Sequence, residues 1–79
     1  MSKLRSRFVN HLRLRAGAIV SHQELADAIW GDDPDGGPME VRECLLHLDR
    51  GLREMGYPIK KHWGRGYSYD WTEWEAGVR

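Results

Sequence analysis

The sequence has one cysteine, Cys44, so neither an internal disulfide nor a multi-cysteine zinc site can staple the chain. No apolar run approaches the roughly 18 residues of a membrane span. The stretch from Met1 to Arg15 also lacks the apolar core of a signal peptide, so a cytoplasmic protein without a membrane partner is expected. The four histidines, His11, His22, His47 and His62, are scattered without metal-ligand spacing, and no metal or other cofactor is expected. No Ser-His-acid set or paired carboxylates can be argued, which excludes an enzyme reading. What is present, in 79 residues, is 41% hydrophobic content with four Trp and three Tyr, enough apolar material for one small folded domain. Residues 1–71 are expected to form it, with 72–79 as a tail.

The twelve basic and twelve acidic residues cancel, but they are not mixed. Lys3, Arg5, Arg7, Arg13 and Arg15 stand unopposed before Gly17, whereas Ala18 to Glu40 holds six acids and no base. Lys60, Lys61 and Arg65 are again unopposed. Such a dipolar chain can meet a polyanion with its basic ends and another partner with its acidic middle, although ordinary solvated surface is the plain alternative.

Leu4, Phe8, Val9, Leu12 and Ala16 recur at spacings of three and four, predicting a first helix that Gly17 ends. Ala18 to Val20 suits a brief strand. Ser21 followed by Glu24 forms a capping box, hydroxyl and carboxylate each serving a backbone N–H, and opens a second helix closed by Trp30 and Gly31. Gly31 to Pro38 reads GDDPDGGP, an acidic loop whose spacing fails the calcium motif because Arg42 would occupy the twelfth position. A third helix should run over about 39–55, burying Val41, Cys44, Leu45, Leu48, Leu52 and Met55. Its other face has an exposed Leu46 among Arg42, Arg50 and Arg53, with Glu43, His47 and Glu54 alongside. Ordinary i,i+4 surface pairs remain the alternative for Glu43 with His47 and for Arg50 with Glu54. Period-two alternation then predicts a β-hairpin, Ile59 to Trp63 and Tyr67 to Trp71, turning at Gly64-Arg65-Gly66. Trp30, Trp63 and Trp71 should complete the core, and Trp74 should serve tail packing or a dimer contact.

The order of elements, with GAIVSHQELADAIWG at Gly17 to Gly31, the spacing Val41, Leu45, Leu48, Leu52, and KHWGRGYSY at Lys61 to Tyr69, resembles the winged-helix effector domain of response regulators of the OmpR/PhoB type. The resemblance implies an α+β winged helix-turn-helix of three helices plus a C-terminal β-hairpin wing, binding double-stranded DNA. It places the third helix in the major groove, with Arg42, Leu46, His47, Arg50 and Arg53 as contacts, and Arg65 of the wing in the minor groove. Lys60 and Lys61, together with the N-terminal Lys3, Arg5 and Arg7, would meet phosphates. The acidic loop, Asp32, Asp33 and Asp35, would face RNA polymerase. The expectation is a small stand-alone transcriptional regulator of a bacterium or phage, acting at the nucleoid as a homodimer or in tandem. The alternatives are a winged-helix adaptor for a protein partner and a phage-type DNA-bending recombination factor. The sequence departs from the family in the missing N-terminal sheet and in having His47 and Asp49 where the third helix is often basic.

Overall fold

The computed structural model describes residues 2–33 and 36–70. Asp35, Trp71, Trp74 and the tail at 72–79 lie outside the described residues. Helix α1, Lys3–Leu14, starts because the Ser2 hydroxyl accepts a hydrogen bond from the Arg5 amide at 3.2 Å, taking up one of the donors a helix start leaves free. It buries Phe8, Val9 and Leu12, while Leu4 is partly exposed and Ala16 falls beyond the helix, so the apolar stripe is narrower than expected.

The short strand is shorter than expected, β1 being only Val20–Ser21. Ser21 then caps α2, His22–Trp30, its hydroxyl accepting from the Glu24 amide at 3.1 Å. The other half of the expected capping box is absent. The Glu24 carboxylate instead binds His11 Nε2 at 2.7 Å and Arg15 Nη1 at 2.6 Å, tying α2 to α1.

Helix α3, Val41–Glu54, begins three residues after Pro38 rather than around it, and its N-terminus has no side-chain cap. It turns Leu45, Asp49 and Leu52 fully inward. The buried stripe is thus rotated relative to the expected one: Val41, Cys44 and Leu48 are only half-buried and Met55 is 50% exposed. The Arg5 guanidinium, the flexible end of a long side chain, lies over Gly51, within 2.6 Å of where a Cβ would be.

The hairpin consists of β2, Ile59–His62, and β3, Gly66–Tyr69, with His62 paired to Gly66. That register makes Trp63-Gly64-Arg65 the turn, one residue earlier than expected, with the Arg65 amide bonded to the His62 carbonyl at 3.0 Å. Strand β1 adds to the hairpin on the far side, Val20 opposite Tyr67 and Ser21 opposite Gly66, giving an antiparallel sheet of order β1-β3-β2. The closeness of β1 to β3 requires glycine at position 66, because a Cβ there would overlap the Val20 carbonyl. All four residues of the central strand are buried, and Tyr67 meets Phe8 edge to face at 5.4 Å. Trp30 packs against this core as expected. Trp63 does not: the strand ends at His62, which puts the indole in the turn, 83% exposed.

Candidate nucleic-acid interface

The outward strip of α3 consists of Arg42, Glu43, His47, Arg50, Arg53 and Glu54, all exposed. Leu46 is half-buried rather than exposed because the wing lies against that edge of the helix. Between them runs a groove of about 450 Å³, bordered by His22, Arg42, Leu46, Lys61, Trp63 and Tyr67. Helix, wing and the start of α2 therefore form one continuous surface.

The hairpin sets the wing side chains. Lys60 and Arg65 are exposed and Lys61 is half-buried, its Nζ stacked 3.8 Å from the centroid of the Trp63 ring. That contact covers one face of the indole and holds the ammonium beside the groove. At the base of the sheet His62 Nε2 and Ser68 Oγ are 2.7 Å apart, bracing the strands next to the turn.

Asp49, a departure from the expected basic position, is not on this surface at all. Its side chain is 0% exposed, with Arg53 Nη2 2.9 Å from Oδ2. The guanidinium is near enough for charge attraction but is not aligned as a hydrogen-bond donor, so neither carboxylate oxygen has a donor among the described residues. Burial pushes the Asp49 pKa above the usual carboxylate range, against the opposing pull of Arg53 and Lys61. Desolvation, with Asp49 nearby, also pushes the Tyr67 hydroxyl up to about 12. The acid is withdrawn from the outward face, which leaves Glu43 and Glu54 as the acids of that strip. The Glu40 carboxyl, bonded to that of Glu43, is raised by that contact.

The N-terminal bases do not form a cluster on this surface. Lys3 is exposed, but Arg5 is spread over Gly51 with Nη1 3.8 Å from Met55 Sδ. Arg7 reaches the acidic loop instead, donating to both Asp32 oxygens at 2.9 and 3.1 Å and to the Ile29 carbonyl at 2.7 Å. The Arg7 hydrogen bonds hold the Asp32 carboxyl below its usual range. Two residues expected to meet different partners thus meet each other. Asp33 is exposed beside them, and Met39, later in the same connection between α2 and α3, is fully exposed.

Two residues join this surface through tertiary structure alone. The alternation places Trp63 in the core, and only the hairpin register reveals it as a turn residue. His22 follows the cap residue of α2, and only the pairing of β1 with β3 brings it edge to face with Tyr67, centroids 5.9 Å apart. Burial, then the nearby Arg42 and Lys61, push its pKa below 6.5.

No helix among the described residues is long and apolar enough to cross a membrane. The family model described as "Transcriptional regulatory protein, C terminal" matches residues 2–69. No curated protein and no solved structure shows significant similarity to the chain.

Proposed function

The chain belongs to the family of C-terminal domains of transcriptional regulatory proteins, which are DNA-binding winged helices, and from that premise we propose a sequence-specific regulator that reads duplex DNA with α3 and its wing. In this reading α3 lies in the major groove, roughly 12 Å wide and able to admit one helix, with Arg42, Arg50 and His47 at base edges and Leu46 against a thymine methyl. Arg65 enters the adjacent minor groove, where its glycine neighbours leave room and the narrow groove concentrates negative potential. Lys60, Lys61, Arg53 and the exposed Lys3 take phosphates, fixing register without reading sequence. Arg5 and Arg7 reach phosphates only by leaving their contacts with α3 and Asp32.

The observation that supports this reading best is the single groove shared by Arg42, Leu46, Lys61 and Trp63, with Asp49 folded away beneath it. One module buries limited surface, so the working unit is a homodimer or a tandem on repeated half-sites at the nucleoid. The test is fluorescence anisotropy with duplex DNA at several salt concentrations. Affinity should fall linearly on a log-log scale with a slope of several counterions, and Arg65→Ala should weaken it. A salt-independent signal, or no binding at about 50 mM salt, overturns the reading. A protein partner such as RNA polymerase at Asp32 and Asp33 is the second reading, favoured by the exposure of both acids and of Met39 in the same connection between α2 and α3. It is tested by whether Met39→Ser and Asp33→Asn reduce transcriptional output while leaving DNA affinity intact.

A further inference from the structure

His22, Arg42 and Lys61 come from the first turn of α2, the first turn of α3 and the middle of β2, yet all three border the same groove. None of the ion pairs among the described residues uses any of them. Partial burial, and then the charges of Arg42 and Lys61, disfavour the charged imidazole and push the His22 pKa down in the free protein. The Tyr67 ring, at 78° to the imidazole, fixes its orientation without supplying charge.

The remaining groups around it do not change the sign. Glu43 of α3 also borders the groove, but the charges that act on the His22 imidazole are those of Arg42 and Lys61. Asp27 of α2 and Asp33 border the adjoining groove on the far side of His22 and Arg42. The Tyr67 hydroxyl of β3, pushed up to about 12, stays protonated at any working pH.

We propose that His22 joins Arg42 and Lys61 in holding a DNA backbone phosphate in this groove and takes up a proton as it does so, making DNA affinity rise as pH falls. The inference rests on the DNA-binding reading and deepens it. A phosphodiester is anionic at every working pH, so its attraction for the imidazolium counters the burial and the cationic repulsion that disfavour the charged ring. Protonated His22 then offers N–H donors and a charge where the neutral ring offers one donor and none. Because the complex binds more protons than its free components, affinity rises as pH falls through the His22 pKa of the complex. It levels off below the His22 pKa of the free protein.

The experiment is a set of anisotropy titrations with labelled duplex DNA from about pH 8 to about pH 5.5 at constant ionic strength, with circular dichroism to confirm folding throughout. The wild type should gain about three- to tenfold in affinity across that range, the gain expected for a pKa displacement of half to one unit. His22→Gln should be flat. His22→Arg should also be flat but tight already at the alkaline end. His47→Gln, which removes the imidazole on the outer strip of α3, should retain the slope whatever it does to affinity itself. An NMR titration of the wild type should show the His22 imidazole pKa rising when duplex is added, a readout that needs no variant to fold. A slope that survives His22→Gln, or an unmoved His22 pKa, overturns the inference. A wild type that binds DNA without pH dependence does the same and leaves the DNA-binding reading standing. No binding at any pH overturns both.

Discussion

Asp49 lies fully buried directly beneath Arg53, its Oδ2 2.9 Å from the guanidinium that covers it on the next turn of α3. Arg53 is half exposed, so the pair joins the core to the outer strip of the helix. An ionised carboxylate without an aligned donor in such a site costs more in the folded chain than in the unfolded one.

Asp49→Asn should therefore stabilise the protein at neutral pH, by about 1 kcal/mol, because the amide keeps the shape and sheds the charge. The pH dependence follows from the raised pKa. The folded state holds this proton more tightly, so the site favours folding below the ordinary carboxylate pKa, and that contribution is lost as pH rises through the folded value. Urea melts at about pH 7 and about pH 4 should show the variant's advantage shrinking on acidification. An advantage that grows at acid pH would place the ionised form as the favoured one.

Arg7 has the opposite character, an ion pair at the surface that also covers the last turn of α2 through the Ile29 carbonyl. Arg7→Ala should destabilise by about 1 kcal/mol, chiefly through the lost bond to that carbonyl. The Asp32 carboxyl is held low by Arg7, so its share of the stability is present above the ordinary carboxylate pKa and is lost as pH falls through its folded value. The gap between the thermal melts of Arg7→Ala and wild type should narrow on acidification, the part due to the Ile29 carbonyl remaining.

Gly66→Ala should separate β1 from β3, since the added methyl would overlap the Val20 carbonyl and the backbone of a buried strand cannot step aside. The expected loss is about 2–3 kcal/mol, or complete unfolding in a domain this small. Gly64→Ala, with φ +73 but nothing within 4 Å of its added Cβ, should cost about 1 kcal/mol. Hydrogen exchange at the Val20 and Tyr67 amides distinguishes the two.

Lys60→Ala and Lys61→Ala should each lower the salt slope of DNA binding by about one counterion, weakening all sequences alike. Arg50→Ala should cost about 1–3 kcal/mol on the preferred site and relax discrimination at one base position. A uniform loss from Arg50→Ala would move it from base reading to phosphate binding.

Helical periodicity at Phe8, Leu12, Leu45 and Leu52, the Ser21 cap and the Gly-bearing hairpin made three helices and a wing legible from the chain, and the family match over residues 2–69 agrees with them. These are local signals, set by neighbours within a turn or a strand pair. They fixed neither how far α3 is rotated about its axis nor the residue at which β2 ends. Those two quantities decide whether Asp49 is inside or outside and whether Trp63 is core or tip.

The sequence by itself determined the element types and order, because capping, turn chemistry and hydrophobic spacing act over a few residues. The tertiary structure alone decided which charges share a surface. Arg7 was drawn to Asp32, Arg5 to Gly51, and His22 toward Arg42 and Lys61 by the docking of α1 on α2 and α3 and by the pairing of β1 with β3. Coulombic interaction depends on distance through space, and Arg7 with Asp32 and His22 with Arg42 and Lys61 are brought together across twenty to about forty positions, a separation that no local pattern encodes.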